Sequence, residues 1–238
     1  LAIGGITAVM GVLYALMEHD LKRLLAYHSV ENIGIIAMGF GLGLLGRATG
    51  RLDAALLGCA AGALHVWNHA FFKSLLFYGA GSVVQMTGTR DLERQGGLLQ
   101  RAPMTATIFL LGAVAICGLP PLNGFVSELF LYTGLIRLVA SGQASTFVIL
   151  GAVGTLGLVA IGGLALACFV KAFGVVFLGS PRKPRDTSEV AWPMRLPGVV
   201  LGAACIAIGV FPGAAATALR APLADLVPAA SGGALGAV

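Results

Sequence analysis

Charge is scarce in this chain: Asp, Glu, Lys and Arg make up 11% of its 238 residues, less than half of the roughly 25% usual in soluble domains. That scarcity excludes a solvated surface over most of the molecule. The lack of any long basic cluster excludes nucleic acid as a partner. Cysteine is sparse too. Cys59, Cys117, Cys168 and Cys205 each lie in an apolar stretch, without a CxxC pair or a Cys-His ligand spacing. They read as packing residues, with no iron–sulfur or zinc site. No Walker sequence, GxGxxG after a strand, GxSxG elbow or HExxH motif appears. The expectation is a chain with no catalytic centre, metal or cofactor of its own.

Apolar residues, by contrast, make up 58% of the sequence, and mean hydropathy is +0.93. Runs of about 17 to 25 such residues, each able to cross a hydrocarbon core, recur with short polar interruptions and predict an all-α polytopic membrane protein of about six to seven transmembrane helices. The expected spans cover about 2–17, 21–46, 53–86, 103–118, 145–178 and 197–218. Residues 181–196 read as a polar loop, and the Gly/Ala-rich 219–238 as a loosely ordered tail. The formal charge of +5 sits in the loops, where it suits anionic lipid headgroups. Its distribution under simple alternation leaves orientation open. The sequence starts with Leu1 inside an apolar run, without a basic n-region, and so reads as lacking an N-terminal part.

"CGLPPLNGFVSELFLYTGLI" differs from the other runs. Pro120, Pro121, Asn123 and Gly124 fall in mid-run; the two prolines each remove a backbone donor, and Gly124 permits unwinding. Residues 118–124 are therefore expected to form either a tight connection or a helix broken at membrane depth.

Ionisable groups in the spans are costly, at roughly 2.5 to 3.5 kcal/mol each if charged at mid-depth. In "HVWNHAFFK", His65, His69 and Lys73 recur every fourth residue and occupy an arc of roughly 80° on one helix face, with Asn68 on its flank. Neighbours rise about 6 Å, a spacing one water can bridge, and imidazole and a desolvated amine both exchange protons near neutral pH. The bland alternative has the histidines bonded to carbonyls and Lys73 reaching for an interface. Glu128 follows Gly124 by four residues, near the restarted helix N-terminus, which favours a carboxylate; otherwise it simply starts that helix. Glu31, with His28 and Asn32 within a helical turn, makes a second polar cluster or an interfacial pair. Asp20 and Lys22 in "EHDLKRLL" sit at a boundary, where a solvated turn also explains them. Lys171 lies about 12 Å of helix from the loop at Gly179, far for snorkelling, whereas Arg137 near its span's end reads as an interface anchor.

"EHDLKRLLAYHSVENIGII", "HVWNHAFFKSLLFYGAGSVV", "GGLLQRAP" and "GLPPLNGFVSE" together resemble the antiporter-like membrane subunits of respiratory complex I, hydrogenase-4 and formate-hydrogenlyase complexes, and multisubunit cation/proton antiporters. The likeness is nearest to the hydrogenase-4 large membrane subunit and extends from about residue 1 to 185. It implies a proton-conducting antiporter-like domain over 1–180 corresponding to the second of two inverted repeats, each with one broken helix. It also implies other membrane subunits and, through them, a peripheral redox arm as partners, in a bacterial inner membrane. By motif it assigns proton transfer to Lys22, His65, His69, Lys73 and Glu128, while Asp20, His28, Glu31 and Lys171 stand as further candidates on their positions alone. His28 departs from the family's usual Ser or Thr. The resemblance also places half of the conduction path upstream of residue 1. The expected function is proton translocation within an oxidoreductase complex. A cation/proton antiporter subunit without a redox partner and a structural membrane scaffold stand as alternatives.

Overall fold

The computed structural model describes residues 1–140, 145–182 and 188–227. Among these residues the chain is helical, without strands: α1 (Ala2–Met17), α2 (Leu21–Ala48), α3 (Leu52–Thr87), α4 (Pro103–Ile116), α5 (Asn123–Ala140), α6 (Ser145–Phe177), α7 (Trp192–Val210), α8 (Pro212–Ala218) and α9 (Arg220–Leu226). Length and composition mark α2, α6 and α7 as able to cross a membrane unaided, with α1 and α4 as shorter apolar helices. At 36 residues α3 is the longest, but its polar residues dilute its hydropathy. The span expected over 197–218 starts earlier, at Trp192, and ends at Val210, with α8 separate. Within the expected tail, Arg220–Leu226 is helical, and 228–238 lie outside the described residues. So do 183–187 of the expected polar loop.

Hydrogen bonds between loops sort the helix ends into two layers. At one face Leu21 N donates to Arg90 O at 2.9 Å, Leu92 N to His19 O at 2.8 Å, and Gly97 N to Leu178 O at 2.9 Å. The end of α1, the start of α2, the end of α3, the start of α4 and the end of α6 meet there. At the opposite face Arg51, preceding α3, donates to Arg137 O near the end of α5 at 3.4 Å. Thus α4 leaves the first face and α5 arrives at the second. At about 1.5 Å per residue, α4 is only about 21 Å long, too short to cross a core of about 30 Å. The two together lead from the first face to the second, interrupted at 117–122.

The break is built by local chemistry. Gly118, at φ +62°, closes α4 with a double bond pattern in which Gly118 N donates to Ala115 O (3.2 Å) and Leu119 N to Val114 O (3.3 Å). This is the left-handed C-terminal motif that glycine favours. Pro120 and Pro121 then prevent the helix from continuing. The proline pair therefore lies in the break, whereas Asn123 and Gly124 form the first turn of α5 rather than part of the interruption.

Packing follows small residues. Along the α2–α3 seam a methyl on Gly39 would lie 2.7 Å from Gly62 N, and one on Gly43 2.9 Å from Cys59 N. The backbones approach closely there, as in other small-residue membrane interfaces. Helix α3 is the hub, packed against α2, α4, α5 and α7, while α1 and α6 close the other side.

An N-terminal cap for α4 comes from far along the chain. Ala102 supplies no side-chain cap, but the Glu189 carboxylate accepts from Met104 N at 3.0 Å and from the Thr105 hydroxyl. A carboxylate here also complements the helix dipole. Replacing it, Glu189→Ala, is expected to cost about 1 kcal/mol, read as a lower thermal unfolding midpoint than wild type in lipid. An unchanged midpoint would count against the cap.

Candidate functional site

The α3 stripe faces a polar seam made by α2 and α5. Running antiparallel, α2 and α3 bring Leu25 opposite Lys73 and Asn32 opposite His65. The Lys73 ammonium, 5% exposed, donates to the Leu25 carbonyl. That carbonyl is three residues before His28, whose Nδ1 bonds the Glu31 carboxylate. The His28 ring lies tilted against Phe169 of α6 with centroids 4.6 Å apart. Its Nε2 has no hydrogen-bond partner among the described residues. Glu31 is 1% exposed and His28 wholly buried. A helical position facing neighbouring helices on several sides, rather than an interface, explains that burial.

Two turns further along α3, a tight amide and hydroxyl cluster surrounds His65. Asn32 donates to His28 O at 2.8 Å and receives His65 Nε2 at 3.0 Å on its carbonyl oxygen. Ser127 of α5 lies 2.8 Å from His65 Nδ1. The Asn68 amide nitrogen donates to Asn123 O at 2.7 Å and to the Ser127 hydroxyl at 2.9 Å. Ser127 itself donates to Gly124 O at 3.0 Å. His69 lies between the two clusters, edge-on to Phe72 with centroids 5.7 Å apart, and its Nε2 has no hydrogen-bond partner among the described residues.

Glu128 sits beyond Ser127. Its carboxylate fills the space a side chain on Gly118 would need, with its carboxyl carbon 2.7 Å from the ideal Cβ position. The same carboxylate lines a cavity of about 260 Å³ with Cys117, Tyr132, Gly162 and Gly163, between the helix break, α5 and α6. Hydrogen bonds tie part of the seam together: Lys73 to the Leu25 carbonyl, His28 to Glu31, Asn32 to His28 O and to His65, and His65 to Ser127. Five of the candidate residues, His28, Glu31, His65, His69 and Lys73, therefore lie along one seam between α2, α3 and their neighbours, and Glu128 adjoins it.

Three other candidates sit elsewhere, at the face where α1 meets α2. Asp20 caps α2, accepting from Lys22 N (2.9 Å) and Arg23 N (3.0 Å), and pairs with Arg90 at 3.2 Å. Lys22 is half-buried one turn before Leu25, where Lys73 docks. Lys171 reaches across from α6 to the last carbonyls of α1, donating to Leu16 O at 2.6 Å and Glu18 O at 3.2 Å. A cation at a helix C-terminus complements the dipole. Among the described residues, no three His, Cys, Asp or Glu side chains converge as a metal ion would require. Sequence reasoning missed Ser127, Gly118 and Glu189. Ser127 had a usable signal, being adjacent to Glu128 in the restarted helix. Glu189 had none, since a loop acid carries no spacing that names its target.

Comparison with known proteins follows the same lines. The family described as "NADH:quinone oxidoreductase/Mrp antiporter, TM" matches residues 1–158. Formate hydrogenlyase subunit 3 of Escherichia coli is 43% identical over 96% of the chain and 37% of its own length. Hydrogenase-4 component B of the same organism is 40% identical over 87% of the chain and 31% of its own length. The chain thus spans about a third of the length of these curated relatives. A subunit in the structure of the Mrp complex from Dietzia sp. superposes with a TM-score of 0.72 over 96% of the chain and 46% of that subunit, at 22% identity, which establishes likeness of fold.

Gly118 offers a direct test of the break. Gly118→Ala is expected to lower the thermal unfolding midpoint more than Gly50→Ala. Both positions have positive φ, but only Gly118 meets a carboxylate where Gly50 meets open space. The φ penalty common to both is about 1 to 2 kcal/mol. Equal midpoints for the two variants would show that the Glu128 contact adds nothing.

Proposed function

Because the chain belongs to the NADH:quinone oxidoreductase/Mrp antiporter transmembrane family, we propose that this membrane subunit relays protons through Lys22, Lys73, His69, His65 and Glu128. The complex it serves is a hydrogenase-4 or formate-hydrogenlyase type oxidoreductase in a bacterial inner membrane. The observation that carries this reading is the buried polar seam that holds Lys73, His28, Glu31, Asn32, His65 and Ser127, beside Glu128. Buried ionisable groups in membrane helices are expensive and mark substrate and ion paths or proton relays. His28 and Glu31 lie on the same seam and join the relay. Asp20 and Lys171 serve it indirectly, by capping the helices that carry Lys22 and close the seam. Electron transfer is assigned to partner subunits. The two E. coli relatives named as hydrogenase-type subunits support the choice of complex.

A second reading, a cation/proton antiporter subunit with no redox partner, is favoured by the family's inclusion of Mrp antiporters and by the shared fold. Proton movement that requires sodium and persists without any electron donor would select it over the first.

In the membrane complex that carries the chain, Lys73→Ala or Glu128→Gln is expected to reduce proton translocation by about tenfold or more, the scale of a lost proton-transfer group, while electron transfer persists. Unchanged translocation per assembled complex in both variants would remove the relay reading.

Charge also sets sidedness. Lys22, Arg23, Arg90, Arg94, Arg101, Arg182 and Arg195 gather at the face where α1 meets α2, against Arg47, Arg51, Arg137 and Arg220 towards the other. By the positive-inside rule the first face is cytoplasmic. A membrane-impermeant maleimide added to intact cells is expected to label Arg47→Cys and spare Arg90→Cys; the reverse pattern would invert the orientation.

A further inference from the structure

The hydrogen bonds around His65 can be counted donor by donor, and the count leaves one proton position undetermined. Asn32 commits its amide nitrogen to His28 O, so the oxygen facing His65 Nε2 is an acceptor. His65 Nε2 must therefore carry hydrogen in every charge state. The Asn68 amide nitrogen spends both of its hydrogens, on Asn123 O and on the Ser127 hydroxyl. Ser127 then has one hydrogen and two places to send it: His65 Nδ1 at 2.8 Å or Gly124 O at 3.0 Å.

These two choices correspond to the two charge states of His65. When the imidazole is neutral, Nδ1 is a bare acceptor and takes the Ser127 hydrogen. When a proton is added at Nδ1, that N–H donates to the free lone pair of Ser127, whose own hydrogen turns to Gly124 O. Both ring nitrogens of His65 and the Ser127 hydroxyl keep a partner in both states, and the change needs the rotation of one hydroxyl. Elsewhere a buried histidine gaining charge without such an acceptor would leave a polar group unsatisfied, which is the expensive outcome in an apolar interior. The hydrogen moves onto the first turn of α5, the turn that follows the helix break and precedes Glu128.

We infer that Asn32 and Ser127 are positioning residues for His65: Asn32 sets its Nε2–H tautomer, and the Ser127 hydroxyl switches between His65 and Gly124 O as His65 gains or loses a proton. This rests on the relay reading only for its consequence in transport; the tautomer and the switch stand on the hydrogen-bond geometry alone. The inference deepens that reading by giving the protonation of the α3 stripe a mechanical link to the broken helix.

The test is ¹⁵N solid-state NMR of the intact complex in lipid bilayers with labelled histidine, the His65 signals assigned by their loss in His65→Gln. Wild type is expected to show neutral His65 protonated on Nε2. Asn32→Leu removes the acceptor and is expected to move the hydrogen to Nδ1, where Ser127 can receive it. Ser127→Ala is expected to keep the Nε2–H tautomer but slow proton translocation per assembled complex by about tenfold, the scale of one charge-assisted hydrogen bond, and Ser127→Thr to restore most of it. A wild-type Nδ1–H tautomer, or an unmoved tautomer in Asn32→Leu, overturns the inference. Full transport in Ser127→Ala while Lys73→Ala is inactive overturns the switch. Full transport in both variants, with the tautomers as expected, overturns the relay and leaves the positioning roles in place. Should Ser127→Ala fail to assemble, the wild-type tautomer and Ser127→Thr decide.

Discussion

A helix interrupted at membrane depth has no water to complete its hydrogen bonds, so the protein must supply partners for the break between α4 and α5. Gly118 does this on the α4 side by folding the chain back onto the carbonyls of Ala115 and Val114. On the α5 side Asn68 grips Asn123 O and Ser127, while Asn123 returns contacts to Asn68 at 3.3 and 3.4 Å. The hub helix α3 is thereby bound to the break by polar contacts as well as by apolar ones such as those of Leu122 and Val126. The position of α5, and with it that of Glu128, follows from that grip.

Once polar groups are needed to hold the break, the seam around them has to be polar as well. Asn32 and Ser127 bracket His65 with one partner on each nitrogen, and Lys73 finds its acceptor in a backbone carbonyl of α2. Close approach of α2 and α3 at Gly39, Gly43 and Gly62 makes these short side-chain contacts possible across two backbones. Larger residues there would push the helices apart and leave buried donors without acceptors, the costlier outcome in an apolar interior. Small residues and buried ionisable groups are two parts of the same arrangement.

The helix ends show the complementary use of charge. Asp20 caps α2, Glu189 caps α4 from another loop, and Lys171 covers the last carbonyls of α1. Each places a charge where the helix dipole favours its sign. Charged residues in this fold thus divide by depth: those at the ends secure helices, and those along α3 and its neighbours form the seam.

Much of this was legible in the sequence. Scarce charge and recurrent apolar runs are sufficient for an all-α membrane fold, because lipid leaves helices as the simple way to satisfy a backbone. The four-residue repeat of His65, His69 and Lys73 determines one shared face, because helix periodicity is local. The two prolines likewise announce an interruption. Tertiary structure alone decided that α4 and α5 together lead from one face to the other, that Asn123 and Gly124 belong to the restarted helix, and that Lys171 covers a helix end. It also chose Asn32 and Ser127 as the partners of His65, and Glu189 as the cap of α4. The physical reason is distance along the chain: His65 and Ser127 are 62 positions apart, and Thr105 and Glu189 are 84 apart. No local spacing encodes such pairs, which exist only once the small-residue seams have set the helices side by side.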